Sequence, residues 1–467
     1  MQGRLKYLAR NTSIFAVGEI GTKIINFFLV PFYTRILTTD QYGTVDLIFT
    51  ISLVVTPLVM FNVGEAIMRY ALDEDADEGK IFGSALIIIL FGVVISLLII
   101  PISSFFSILK PYSIHIYAYI VLCAIKGVIT SYLRGKEQLK LYVLCNLINT
   151  LLIALFSIVL LVVLCYGIEG YLLAYIGAEF IAIVFAVVAG NLYRGLKSFV
   201  IDIELTKKLI YFSLAVVPNS LLWWAINSSD RIMVTAMSNV SENGILAVAY
   251  KIPSLLAMIN TIFMQAWKYS AIKENHSLDR DEFSNAMMSQ FLKGSALIAG
   301  TMIVGIKLLT RFLFSEAYFV SWESSVFLLL GFVFMGVGTF IGTIYYVEKN
   351  MIGNMLSAFI GAIFNLFLNF LLIPYLGAIG ATVAACFSYF VIMIYRYFDT
   401  KKMQDLHLFN FEHSIIGCYL LLLIMFSFLE TLCGKTILFA IYFLFLYYNR
   451  EFIRRFTINT IHLMKRS

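Results

Sequence analysis

The strongest constraint in this sequence is a succession of apolar runs, each about as long as a membrane is thick. A helix rises about 1.5 Å per residue, so roughly 20 apolar residues cross a hydrocarbon core of about 30 Å. Runs of that kind lie at 12–36, 42–64, 81–107, 112–133, 141–166, 170–192, 209–237, 244–270, 286–312, 323–346, 351–374, 378–399, 413–431 and 436–449. That makes about fourteen; the last pair follows a polar break and its final member is short. Only 13% of the 467 residues are charged, where a soluble domain carries about 25%. So little polar surface cannot keep a chain in water, and the fold class expected is an all-α integral membrane protein. The N-terminal "MQGRLKYLAR" precedes an apolar run too long for a signal-peptide core and without a small-x-small cleavage site, so it reads as an uncleaved first span.

Basic residues fix the expected orientation, because Lys and Arg collect in cytoplasmic loops. With the N-terminus placed inside, 24 of the 34 basic residues fall in inside segments, and only Arg35, Lys110, Arg311 and Lys435 fall in outside loops. Six lie within spans: Lys23, Lys126, Arg231, Lys251, Lys293 and Lys307. The expectation is a multi-pass protein with both termini cytoplasmic. The net charge of +6 follows from this distribution and does not point to nucleic acid.

Several chemistries find no support. The six cysteines lie in or beside apolar runs with no CxxC pair, and the five histidines form no HExxH, so neither a disulfide framework nor a metal site is indicated. "CGKT" at Cys433–Thr436 resembles the end of a phosphate-binding loop, but Leu429 stands where its first glycine belongs. No cofactor is expected, and the chain does not read as an enzyme.

The chain repeats itself. "YLRGKEQLKLYVLCNLINTLLIALF" from Tyr132, followed by Gly167 and Gly170, parallels "YYVEKNMIGNMLSAFIGAIFNLFLNFLLIPYLGAIGATVAA" from Tyr345, with Gly377 and Gly380 each 210 positions on. "TRILTTDQYGTVDLIF" from Thr34 parallels "DRIMVTAMSNVSENGILAVAY" from Asp230, and Arg35 and Arg231 are 196 apart. A unit of six spans is duplicated. Six is even, so both copies insert the same way up, as parallel repeats of a transporter do. The organisation expected is an N-terminal six-helix lobe over 1–192, a cytoplasmic linker over 193–208 and a C-terminal six-helix lobe over 209–399. A polar linker, two further helices and a basic cytoplasmic tail then occupy 400–467. Asn365 and Asn369, four apart on one helix face, read as hydrogen bonds to a neighbouring helix or as cavity lining. Pro374 and Gly377 break the helix after them.

"NLFLNFLLIPYLGAIGATVAA" (365–385), with "NTSIFAVGEIGTKIINFFLVPFYTRILTTDQYGTVDLI" near the N-terminus, resembles the polysaccharide-transport, or oligosaccharide flippase, branch of the multidrug/oligosaccharidyl-lipid/polysaccharide exporter superfamily. The resemblance runs from about Asn11 to Tyr397. It implies a bacterial inner-membrane protein that moves undecaprenyl-diphosphate-linked sugar units outward by alternating access, with a central cavity between two lobes. The partners it implies are that polyprenyl-diphosphate-linked oligosaccharide, the lipid bilayer, and a polysaccharide polymerase with other assembly proteins. Many members carry twelve spans, so the extra pair after residue 412 is a departure. Fourteen spans resemble the related lipid II flippases, whose own motifs are not found here.

Ionisable residues inside a span cost about 2.5–3.5 kcal/mol each on insertion scales, so each asks for a partner or a role. Span 1 holds Glu19 and Lys23, four apart, with Asn26 continuing the face; span 7 holds Asn219, Trp223, Asn227 and Arg231 at four-residue spacing, with Asp230 adjacent. Phosphates favour planar, bidentate arginine and lysine. The cationic substrate contacts expected are therefore Lys23, Arg231, Lys251, Lys126 and, toward the outer mouth, Arg35. Asn26, Asn219, Trp223 and Asn227 are the expected polar cavity lining. Glu19 and Asp230 are candidates for coupling to an H+ or Na+ gradient, and Glu65 and Arg69 for a cytoplasmic gate. The plainer readings are that Glu19–Lys23 is an internal pair, Asp230–Arg231 a turn-end cluster and Glu65–Arg69 an interfacial ion pair. Lys293 and Lys307 are expected to snorkel from the ends of span 9. A drug or cation antiporter of the same superfamily is the first alternative, and it would present a carboxylate-dominated cavity. A membrane polysaccharide polymerase, which would need a sizeable outer loop, is the second.

Overall fold

The structure is a computed structural model that describes residues 2–71, 77–192, 200–275, 277–348 and 350–454. Two compact units divide the chain, Met1–Ile232 and Met233–Ser467. The first contains α1 (Gln2–Ile36), α2 (Thr39–Val59), α3 (Val63–Ala71), α4 (Glu78–Ser96), α5 (Ile99–Ser104), α6 (Ser113–Gly135), α7 (Leu139–Ser157), α8 (Gly167–Ala189) and most of α9 (Ile203–Met237). The second contains α10 (Val240–Ala249), α11 (Lys251–Lys273), α12 (Arg280–Leu313), α13 (Ser321–Val347), α14 (Met351–Thr400), α15 (Phe411–Ser427) and α16 (Leu432–Tyr448). No strand occurs among the described residues. Every one of the fourteen apolar runs is helical for most of its length. By length and hydropathy alone eight described helices can cross a membrane, nine if α10 and α11, which meet at 42°, form one broken span; α15 and α16 are shorter apolar helices.

Each unit is built around one helix. In the first, α6 packs against α2, α3, α4, α5, α7 and α8. In the second, α13 packs against α10, α11, α12, α14 and α15, and 78% of its apolar window is buried. An apolar helix hydrophobic on all sides is the sequence signature of that central place. The two central helices are the fourth and tenth of the fourteen runs, one repeat apart.

The 50 residues of α14 would span about 75 Å as a straight rod, more than twice a hydrocarbon core. Gly377 interrupts it with φ 54°, ψ −129°, a conformation in which a side chain meets the backbone and glycine does not. Glu242 of α10 fills the space beside it: its Oε2 accepts the Ala378 N–H at 2.9 Å and would lie 2.6 Å from any Cβ at 377. At the other end of the hairpin Arg396 donates to Ser357 Oγ (2.9 Å), Gly338 O (2.9 Å) and Asn354 Oδ1 (3.0 Å), tying both halves of α14 to α13.

The first unit places a corresponding residue beside its own positive-φ glycine, although Gln41 Oε1 accepts the N–H of its cap, Thr38, at 3.1 Å. Thr38 caps α2 and Gln41 stands at its third position; Asn239 caps α10 and Glu242 stands at its third position. Gln41 faces Gly167 (φ 53°), with Nε2 3.7 Å from where a Cβ would lie. The repeat is thus visible in backbone geometry as well as in sequence.

Asn369 and Asn365 bond each other rather than a neighbouring helix: Asn369 Nδ2 donates to Asn365 Oδ1 at 3.0 Å, and both residues are buried. Residues four apart are close enough to satisfy one another without leaving their helix. Lys293 and Lys307, expected to snorkel, are met by acids. Each has an acid on the C-terminal pair: Lys293–Glu412 at 2.5 Å and Lys307–Glu430 at 3.5 Å. Between these two ends Tyr419 of α15 lies against Gly300 of α12, where a Cβ would sit 1.9 Å from the phenol oxygen.

Candidate functional site

In the first unit, one face of α6 and one face of α8 meet along their length. Tyr171, Tyr175 and Glu179 are spaced four apart on α8, which places them on one stripe. Tyr171 and Tyr175 stack at 5.0 Å, Tyr119 of α6 meets Tyr175 edge-on at 6.3 Å, and Tyr33 of α1 joins at 4.6 Å from Tyr171. Tyr33 and Ser157 share a hydrogen bond at 3.0 Å. Further along the same contact Lys126 Nζ lies 2.7 Å from Glu179 Oε1 and 2.6 Å from Oε2, with the hydrogen bond directed at Oε1. The pair is well enclosed, with side-chain exposures of 17% and 5%. Lys126, expected among the substrate cations, is therefore met by a carboxylate in the structure. Glu179 was overlooked in the sequence, although a lone acid in the middle of the 170–192 run is the kind of residue that asks for a partner.

A second ion pair joins α2 and α9. Arg231 Nη1 donates to Asp46 Oδ1, and one face further along Trp224 Nε1 donates to Thr50 O at 3.2 Å. The contacts ascend α2 from 46 to 50 while descending α9 from 231 to 224, so the two helices run antiparallel here. Asp230 is buried and its Oδ1 accepts the Arg231 N–H at 2.9 Å. Asp46 is the other acid that sequence reading passed over.

The remaining expected residues are scattered. Lys23, Asn26 and Arg35 are exposed along α1. Lys251 is half-buried where α11 begins, in the second unit. Glu65 lies 3.8 Å from Arg134 of α6, an ion pair to a neighbouring helix, and Arg69 is exposed on α3. The side chains of Glu19, Asn219, Trp223 and Asn227 lie outside the described residues. No group of acids, cysteines and histidines among the described residues could hold a metal ion.

Long apolar helices with ion pairs enclosed between them describe a multi-pass membrane protein of transporter type. Over residues 8–268 the sequence matches the family described as polysaccharide biosynthesis protein, and the chain belongs to that family. Among curated proteins compared by sequence, none matches. Among solved structures, the lipid II flippase MurJ in an inward closed conformation is similar with a TM-score of 0.68 at 15% identity, covering 94% of this chain and 99% of that one. A multidrug resistance MATE family transporter in an inward-facing conformation is similar with a TM-score of 0.63 at 14% identity, covering 83% and 94%. The outward-facing form of a MATE family transporter gives 0.56 at 15% identity, covering 85% and 94%. The fold is that of the superfamily to which these transporters belong.

Proposed function

We propose that this protein is a flippase that carries polyprenyl-diphosphate-linked oligosaccharide units across the bacterial cytoplasmic membrane, from the inner to the outer face, for cell-surface polysaccharide synthesis. The observation that carries the reading is the combination of a polysaccharide biosynthesis family match with a flippase-like fold over nearly the whole chain. Charge supports it over export of organic cations. Glu179 and Asp46 each face a cation, so neither offers the bare carboxylate that a cationic cargo needs. Lys23 and Arg35 are exposed on α1, suited to the phosphates of an anionic lipid carrier. A polymerase reading gains no comparable support.

Transport is by alternating access between the two repeats and is coupled to an H+ or Na+ gradient. Asp230 and Glu19 remain candidates for the coupling group, and Glu179 joins them, because protonating it would release Lys126.

The test is translocation of a labelled undecaprenyl-diphosphate oligosaccharide in proteoliposomes, with and without a pH gradient, for wild type, Lys23→Ala and Arg231→Ala. Loss of transport in folded variants supports phosphate recognition by these cations. Full transport by both removes them from the site and leaves the flippase reading standing. A wild type that moves no lipid-linked sugar but exports an organic cation overturns the reading in favour of a drug antiporter.

A further inference from the structure

Between α1 and α7, inside the first unit, lies a cavity of about 290 Å³. Its walls carry the hydroxyls of Thr22, Tyr142 and Thr150 and the amides of Asn146 and Asn149, beside Gly18. The two helices approach closely at that glycine, where a Cβ would lie 2.4 Å from a Val143 methyl. Gly18 and Val143 both line the cavity, so this close approach of the two helices is part of its wall.

The lining is polar without being charged among the described residues. Thr150 donates its hydroxyl proton back to Asn146 O at 3.0 Å, leaving its oxygen lone pairs available as acceptors. Asn149 is only 6% exposed, yet its Nδ2 has no hydrogen-bond partner among the described residues. A buried amide donor left unpaired costs about 1–3 kcal/mol; Nδ2 itself is covered in this rotamer, and turning the Asn149 amide toward the cavity it lines would let a ligand acceptor remove that cost. Asn26, one turn beyond Thr22 on the same face of α1, continues the polar stripe away from the cavity.

A site with neutral donors and acceptors suits a neutral polyhydroxylated or N-acetylated ring. Cations would want a carboxylate, and phosphates would want lysine or arginine. The volume is near the lower end of the roughly 300–1,000 Å³ range of small-molecule sites, enough for one sugar ring and too small for an oligosaccharide. The geometry points to a subsite for a single neutral sugar residue, held by Asn149 and Asn146 with Thr22, Thr150 and Tyr142. This rests on the flippase reading and deepens it: exposed cations hold the diphosphate, and the α1/α7 cavity reads one sugar of the unit. The cavity lies along the first three turns of α7, directly after the basic loop 134–140. On the expected orientation that is the cytoplasmic half, where cargo is taken up.

The first arm of the test measures binding alone. Full-length protein in a detergent without a sugar headgroup is examined by saturation-transfer NMR with methyl β-N-acetylglucosaminide, methyl β-glucoside and methyl β-glucuronide. The expected result is transfer to one or both neutral glycosides, reduced roughly fivefold or more in Asn149→Leu and Asn149→Asp and abolished in Asn146→Phe, which fills the cavity. Lys435→Ala, remote in sequence at the start of α16, should match wild type, and an unchanged melting temperature certifies each variant as folded. No transfer in wild type, or equal transfer in wild type and the Asn149 and Asn146 variants, overturns the proposal.

The second arm compares proteoliposome transport of carriers bearing a neutral or an acidic sugar. Asn149→Leu should slow the neutral carrier more than the acidic one. If glycosides bind at Asn149 but wild type moves no carrier, the flippase reading fails and the sugar site stands. If transport is undiminished in Asn149→Leu and no glycoside binds, the site fails and the flippase reading stands.

Discussion

At the scale of single residues, the consequential feature is that two spans each carry an ion where the bilayer would normally forbid one. Taking away Glu179 alone leaves the Lys126 ammonium enclosed without its partner, and removing one member of a buried pair typically costs about 3–5 kcal/mol. Glu179→Leu and Lys126→Met should each lower the unfolding temperature in detergent markedly. The double variant Lys126→Met/Glu179→Leu should recover most of the loss, because two apolar side chains of similar size avoid the desolvation of both ions. Single losses that simply add in the double variant would mean the two groups do not interact. Asp202, in the segment that leads into α9, shows a pH-dependent counterpart outside the membrane. The Leu205 backbone N–H, donating at 2.9 Å, and the Lys80 ammonium at 3.4 Å hold its carboxyl below the usual range. A depressed carboxylate stabilises the folded form above the unfolded value, and that contribution fades as pH falls through the folded one. Protection of the Val200–Thr206 amides, taken relative to their intrinsic exchange rates, should therefore fall at acid pH, and Asp202→Asn should remove that pH dependence of the protection. Lys126, Arg231 and their neighbours were legible as charges in spans. Their partners were not, because Asp46 is 185 and Glu179 53 positions away, and only folding shows which charges meet.

The elements show how a glycine becomes a turn and a tyrosine becomes a clamp. Gly377 was readable as a break, since proline and spaced glycines end helices, but the acid that caps the next helix sits 136 residues earlier. Thr38 and Gln41 close a capping box on α2, whereas Asn239 caps α10 and the Glu242 side chain turns instead to the Ala378 N–H. Gly377→Ala should destabilise by about 1–2 kcal/mol, since a side chain there is both left-handed and in collision with Glu242. Glu242→Gln should be nearly neutral, the amide oxygen still accepting from Ala378, while Glu242→Ala should cost about 1 kcal/mol. Thermal unfolding of the three variants checks the order. The α15–α16 pair is attached to α12 by the Gly300–Tyr419 contact and by ion pairs toward each end. Gly300→Val should separate them, exposing the ring of Tyr419, which stacks on Phe445 at 3.7 Å. Faster proteolysis between α14 and α15, with transport lost only in part, is the expected outcome.

For the whole molecule, the native cysteines test the orientation that loop charges imply. Cys165, between α7 and α8, and Cys433, at the start of α16, are exposed at helix ends; Cys418 is exposed within the apolar α15, where an impermeant reagent does not reach in a bilayer, and Cys145 and Cys386 are buried. The distribution of Lys and Arg puts Cys165 and Cys433 at outside turns, whereas the duplication says nothing of which face is which. An even number of spans per repeat requires only that the two copies agree. In intact cells a membrane-impermeant maleimide should label wild type, and Cys165→Ser and Cys433→Ser should each remove part of the signal. The Cys165→Ser/Cys433→Ser double variant should label no more than background until the cells are opened. Labelling of both positions only after permeabilisation would invert the topology and with it the direction of transport. Labelling of one but not the other would break the expected register between them, most directly at α14, whose 50 residues must cross twice for the outside assignments to agree.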